Sequence, residues 1–269
     1  MNQNVLFISV SGIRSKDVVA VASFYENLAS RWKGEKKMPL LFLGLLTSRE
    51  FLNGEHVNPM LYSRMNTRKD ISDACELIQN FKSSRIIIHY NPSGGYNNPE
   101  VETQLYYLMH DKIGGIQWNY FDSKLTPSTK PKFPIVLPQI IDLGFVSILQ
   151  IRKNDYSNPH EFAKRMNNFT LSSNHTHLLL DESCGKGLSI NEEAAINWIK
   201  TMQHYRHIKS LAISGGIGTK TLDVVERIKN AVGSDVELSI DATEKLRDWN
   251  DFSVEKAKEF LAKAIQLYR

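Results

Sequence analysis

Two stretches of the 269-residue chain carry residue types suited to chemistry on a small molecule. The first is Ile213-Ser214-Gly215-Gly216-Ile217-Gly218, which follows an apolar run and precedes an amphipathic segment. Glycines at such a junction let backbone N–H groups approach an anion closely, and the helix N-terminus that follows adds its positive dipole end. The same glycines would also serve a tight turn with no ligand. Gly216-Ile217-Gly218-Thr219-Lys220-Thr221 lacks the Gly-Lys step of GxxxxGK[ST], so it does not read as a nucleotide P-loop. The second stretch is Leu178-Leu179-Leu180-Asp181-Glu182-Ser183-Cys184-Gly185-Lys186-Gly187. An acid closing an apolar run suits general acid–base work where partial burial raises its pKa. The alternative is a carboxylate that caps a helix or ties a loop. A third, weaker stretch is Asp241-Ala242-Thr243-Glu244-Lys245-Leu246-Arg247. Thr243 is placed to cap a short helix aimed at the same anion, with Lys245 or Arg247 as countercharge. An exposed charged turn would look the same.

The elements that must position these residues alternate along the chain. Short apolar runs bounded by Gly, Pro, Ser or Asn read as buried strands over Val5–Val10, Leu40–Leu46, Arg85–Tyr90, Gly115–Asn119, Val146–Ile151, His177–Asp181, Ser210–Ser214 and Val236–Asp241. Near-continuous hydrophobicity is what parallel strands covered on both faces show. Between them, helical spacing of apolar residues predicts helices over Asp17–Arg31, Asp70–Phe81 and Thr221–Val232, and from Ser253 to the last residues. Ser189 with Glu192 makes a capping-box signature for a further helix burying Ala195, Trp198, Ile199 and Met202. Pro134–Leu143 reads as strand or helix; a helix keeps the alternation intact.

Eight strand–helix units in 269 residues match the usual size of a (β/α)8 barrel, which is ~250 residues. A doubly wound open sheet is the alternative, but its GxGxxG after the first strand is absent, since Val10-Ser11-Gly12-Ile13-Arg14 holds one glycine. The expectation is therefore an α/β chain forming one (β/α)8 TIM barrel over residues 1–269, with Thr47–Lys69 a long insertion at the mouth. In that count the glycine site follows strand seven, where barrels frequently bind phosphate.

Composition narrows the partners. Thirty-three basic against 29 acidic residues leave a net charge of +4, and the clusters Arg31–Lys37 and Lys124–Lys132 fall in polar connections. They read as solvated surface rather than a nucleic-acid patch, and the mild positive bias suits a small anionic substrate. The longest clean apolar runs, such as Met38–Leu46, are too short to cross a bilayer, and no signal peptide is legible. Cys75 and Cys184 form no CxxC, and reduced thiols in a cytoplasmic protein are the expectation. Asn168-Phe169-Thr170 and Asn174-His175-Thr176 match glycosylation sequons of a kind that recur by chance. His175/His177 precede strand six at the non-catalytic end, and His204/His207 at i and i+3 lack an acidic or cysteine partner, so no metal is assigned. No motif indicates an organic cofactor.

In collinear order these motifs resemble phosphoribosylanthranilate isomerase, a (β/α)8 enzyme of tryptophan synthesis. Ser9-Val10-Ser11-Gly12-Ile13 stands where that family has Lys-Ile-Cys-Gly-Ile, and Ile87-Ile88-His89-Tyr90-Asn91 is similar to its third strand. Gly115-Ile116-Gln117-Trp118-Asn119 resembles Val-Val-Gln-Leu-His-Gly at the fourth strand. Leu178–Asp181 with Gly185-Lys186-Gly187 resembles Leu-Leu-Asp and its Gly-rich loop, and Ala212–Gly216 resembles the phosphate-gripping Ala-Gly-Gly. The resemblance implies an Amadori rearrangement of a phosphorylated ribosylamine, with a cysteine base on strand one and an aspartate acid on strand six. Asp181 matches the acid, whereas Ser11 occupies the base position and needs a partner base of its own.

The family's lysine near strand five has only Gln150 or Arg152 as counterparts, and Thr243-Glu244-Lys245-Leu246 replaces its Ser-Gly-Val-Glu. Ser48-Arg49 echoes an arginine that grips the anthranilate carboxylate. Candidate replacements for the base are Cys184, nucleophilic if Lys186 lowers its pKa, then Glu182, His89 and Asp241. Cys184 reads equally as a plain buried thiol and His89 as a core residue. The resulting expectation is a barrel that isomerises a small phosphorylated, sugar-derived molecule. Asp181, Ser11 and Cys184 would be catalytic, and Gly215, Gly216, Gly218, Thr243 and Arg49 would hold the substrate. Beside it stand a related lyase or aldolase, and a non-catalytic phosphate-binding or scaffold barrel.

Overall fold

Eight parallel strands close into a barrel in sequence order: β1 (Phe7–Ser11), β2 (Leu40–Ser48), β3 (Ser84–Asn91), β4 (Ile113–Trp118), β5 (Val146–Arg152), β6 (Thr176–Asp181), β7 (Ile208–Ser214) and β8 (Leu238–Ala242). β1 completes the ring by pairing with both β2 and β8, Ser11 beside Gly44 and Ser9 beside Asp241. This computed structural model describes residues 5–54, 65–91, 112–119, 146–152, 159–170, 176–181, 187–205, 208–233, 235–249 and 251–269. Around the barrel lie α1 (Val18–Ser30), α2 (Arg49–Asn53), α3 (Arg68–Leu77), α4 (Pro159–Thr170), α5 (Glu192–Met202), α6 (Leu222–Val232) and α7 (Val254–Ala264). After β8 the chain makes a small antiparallel hairpin, β9 (Arg247–Asp248) with β10 (Asp251–Phe252).

The two faces of each strand explain the continuous apolar runs. Outward residues such as Ile8, Val10, Leu43 and Ile240 pack with Tyr25, Trp198, Ile228 and Phe260 of the helices. Inward residues Phe7, Phe42, Ile87, Val146, Ile148, Leu179 and Ala212 form a separate cluster inside the barrel. Side chains alternate across a strand, so both faces are apolar only where both are covered. Phe7 and Phe42 stack with their ring centroids 4.7 Å apart. Gly115 is required by space: a Cβ there would lie 2.0 Å from the Val146 carbonyl oxygen.

Several boundaries differ from the sequence expectation for local reasons. β2 runs on through Ser48 because Asn66 pairs with its end, Asn66 N–H donating to the Leu46 carbonyl at 2.7 Å and Thr47 Oγ1 to the Asn66 carbonyl at 2.9 Å. The expected insertion over 47–69 therefore begins in strand and α2 and ends in helix α3, with 55–64 outside the described residues. Helix α3 starts earlier than Asp70, which is the third residue of a capping box with Thr67. Helix α5 is capped by Asn191, whose Oδ1 accepts the Ala194 N–H at 3.1 Å, and not by Ser189. Ser253 caps α7 as expected. His204 lies beyond the end of α5, so it shares no helix face with His207, which is outside the described residues. Pro134–Leu143 and Lys124–Lys132 are outside them as well. Among the described residues no helix is long and apolar enough to cross a membrane.

Candidate active site

Inside the barrel the strands change character toward their C-terminal ends. Below, the inward row is the apolar cluster around Phe7 and Phe42; above it stand Ser11, His89, Gln117, Gln150, Asp181, Ser214 and Asp241, all buried. This is the end at which (β/α)8 barrels carry their chemistry. The layer was only partly foreseeable, because each of these residues looks like the polar stop of an apolar run.

Ser11 sits at the centre of one network. Its hydroxyl donates to Asp241 Oδ1, while Ser9 Oγ lies 3.1 Å and His89 Nε2 3.2 Å away. A serine has one proton to give, so with that proton on Asp241 the Ser11 oxygen accepts from Ser9 and from His89. The network therefore assigns the His89 proton to Nε2 and leaves Nδ1 as the unprotonated nitrogen. Burial pushes the His89 imidazole below its ordinary range, and the nearby Asp241 charge pulls it partly back. Asp241 Oδ2 also accepts from Ser214 at 3.3 Å and Thr243 at 3.4 Å.

Ser11 on β1 and His89 on β3 meet across β2 because Gly44 stands between them. A Cβ on Gly44 would fall 2.6 Å from Ser11 Oγ and 2.7 Å from His89 Nε2. A glycine inside an apolar run was a signal of close approach that the pattern reading passed over.

Asp181 belongs to a second network one strand away. Its Oδ2 accepts from Gln150 Nε2 at 2.5 Å, across β5 and β6. The other amide atom, Gln150 Oε1, is buried without a hydrogen-bond partner. Ser214, in register beside Asp181, donates to Asp241, so one β7 hydroxyl stands between the two carboxylates.

The glycine loop after β7 has left-handed backbone at Gly215 (φ 98°) and Gly216 (φ 62°). It also packs against both neighbouring loops. A Cβ on Gly216 would meet the Leu188 carbonyl at 2.7 Å, and one on Gly218 would meet Lys245 Cβ at 2.5 Å. The Gly218 N–H donates to Thr221 Oγ1 at 3.0 Å, and that hydroxyl donates in turn toward the Gly216 and Gly218 carbonyls.

Ser11 and Asp181 thus lie in one polar layer, with Gly215, Gly216 and Gly218 on the loop directly above Ser214. Three other expectations change. Thr243 caps no helix, since only a three-residue 3-10 turn (Glu244–Leu246) follows and its hydroxyl turns to Asp241. Arg247 is buried and its Nη2 donates to the Gly12 carbonyl at 3.2 Å, so it braces the turn after β1 instead of facing an anion. Gln150, one of two counterparts offered for the family's lysine, holds Asp181. Arg49 opens α2 immediately after β2. Cys184, Glu182 and Lys186 are outside the described residues. Ser214, Gln117 and Gly44 were not singled out as site residues. Among the described residues no group of three His, Cys, Asp or Glu side chains is gathered as for a metal ion.

No protein-family model matches the chain, and no curated protein matches it in sequence. Solved structures do match in three dimensions. Phosphoribosyl anthranilate isomerase in complex with reduced 1-(o-carboxyphenylamino)-1-deoxyribulose 5-phosphate superposes with a TM-score of 0.56 at 11% identity, covering 97% of this chain and 98% of that one. TrpF from Jonesia denitrificans gives 0.52 at 10% identity, with 98% of each chain covered. An aldolase, QR15, gives 0.56 at 10% identity, with 99% of this chain and 97% of its own covered. The shared property is the fold. At such identities the barrel is common to all three while their chemistry is not.

Proposed function

We propose that this barrel binds a small phosphorylated, sugar-derived molecule at its C-terminal mouth and moves a proton on it, as an isomerase does. The observation that carries the reading is the pairing of Asp181, beside the unpartnered Gln150 oxygen, with the Ser11–His89–Asp241 chain. An unsatisfied buried acceptor costs about 1–3 kcal/mol, and a substrate O–H or N–H placed next to Asp181 would satisfy it.

A proton shift between neighbouring atoms needs one group to take a proton and another to deliver one. Asp181 serves on one side as acid or base. On the other, neutral His89 accepts through Nδ1, and Asp241 supports the imidazolium through Ser11. Ser11 itself is a relay, since its hydroxyl already donates to Asp241, and so the residue standing at the family's cysteine position does not act as the base. Gly215 and Gly216 would hold the phosphate from above, with Arg49, the first residue of α2, as countercharge.

A second reading, a non-catalytic barrel, is favoured by one specific contact: Thr221 already occupies the Gly218 N–H that an anion would use. A thermal-shift series with phosphorylated sugars, phosphoribosylamines and inorganic phosphate tests the binding. A ligand at a hundred times its Kd adds about 2.7 kcal/mol, and the shift should vanish in Gly216→Asp. No shift with any phosphate ester removes the phosphate reading. Binding with no turnover by any such compound leaves the second one.

A further inference from the structure

At the opposite end of the barrel a cleft of about 540 Å³ opens where β8 and β1 begin, lined by Lys36, Lys37, Lys229, Glu237, Tyr268 and Arg269 among others. Lys36 and Lys37 come from the segment before β2, Lys229 from the last turn of α6, and Tyr268 and Arg269 from beyond α7. Among the described residues none of these four cations forms an ion pair. Two are held by rings instead: Lys229 Nζ lies 3.7 Å from the Tyr268 ring centroid, and the Arg269 guanidinium 5.8 Å from that of Trp32. The Lys229 ammonium also donates to the Leu267 carbonyl.

Side chains so arranged concentrate positive charge, four cations against a single lining carboxylate. Glu237 is the one acid lining the cleft, and Glu226 acts on Lys229 from the same helix. Burial, and then the like charge of Lys36, pull the Lys229 ammonium down to about 8, against the opposite pull of Glu226. A group so crowded gains when a dianion arrives. We infer that this cleft is a second binding site, separate from the mouth, for a small molecule carrying phosphate groups. Its volume is within the ordinary range for such ligands, about 300–1,000 Å³. The site is built on α6, β8 and the segment before β2, so occupancy braces the seam where the barrel closes.

Calorimetric titration with inorganic pyrophosphate tests it. Binding should be seen at about pH 7; toward about pH 9.5, where pyrophosphate itself gains negative charge, it should fall about tenfold relative to Lys229→Gln, as Lys229 gives up its proton and one charge-assisted contact is lost. The double variant Lys36→Gln/Lys37→Gln, changed only at exposed positions, should keep the fold and bind about tenfold or more weakly. Lys229→Gln should keep only the pH dependence that pyrophosphate's own ionisation imposes. No heat of binding at millimolar pyrophosphate overturns the inference. So does binding that is equal in the double variant, which would place the anion at the mouth.

Discussion

The two ends of this barrel are built from the same strands and do opposite things. At the N-terminal end the interior is apolar, with Phe7 stacked on Phe42 and Val146, Ile148 and Leu179 around them. At the C-terminal end the same inward row turns to Ser11, His89, Gln150, Asp181, Ser214 and Asp241. The cost of burying that polar layer is met by hydrogen bonds among its own members. Gln150 Oε1 is one atom of it left over. Stability is therefore assigned to the lower layer and the proposed chemistry to the upper, a division that the variants below can break or sharpen.

The largest effect should come from the lower layer. Phe42→Ala should cost about 3–5 kcal/mol in denaturant unfolding and leave the His89 titration unmoved in NMR. A coupled change in both would break the division. Next is Gly44→Ala, whose new methyl would fall 2.6 Å from Ser11 Oγ and 2.7 Å from His89 Nε2. It should cost about 1–3 kcal/mol by overpacking and, unlike Phe42→Ala, shift the His89 titration by separating it from Ser11.

The smallest effect is pH-dependent. Burial lowers the folded pKa of His89, so below about pH 6.5 the unfolded chain binds a proton that the folded chain does not. Stability contributed by the neutral ring is thus complete above that pH. It falls, by at most roughly 1.4 kcal/mol per unit, as pH drops toward the lower folded pKa. His89→Gln should be less sensitive to acid over that window than the wild type, as read from urea midpoints. Equal pH profiles would mean that the ring is not buried neutral.

The lower layer was the more legible half in sequence. Val5–Val10, Leu40–Leu46 and the runs after them are apolar because both their faces are covered, and that property is local to each run. All eight runs appear as barrel strands, with ends moved by a few residues, as where Asn66 extends β2; among the helices, Asn191 replaces Ser189 as the cap of α5. The upper layer depends on which strand ends meet across the barrel. Asp181 and Ser11 stood out by position, and His89 and Asp241 as candidates. Their roles rest on contacts between residues 78 and 230 positions apart in the chain. Arg247 misled for the same reason, since a charged turn looks alike whether it faces an anion or braces the Gly12 carbonyl.

The most direct test of the central claim is solvent exchange. The protein is incubated in D2O with phosphorylated aldoses and ketoses, and the C–H signals next to the carbonyl are followed by NMR. The account predicts deuterium incorporation into one such compound by the wild type, and a loss of at least about a hundredfold in Asp181→Asn, the scale of general acid–base catalysis. No incorporation into any phosphorylated sugar, or the same rate in Asp181→Asn, would contradict it.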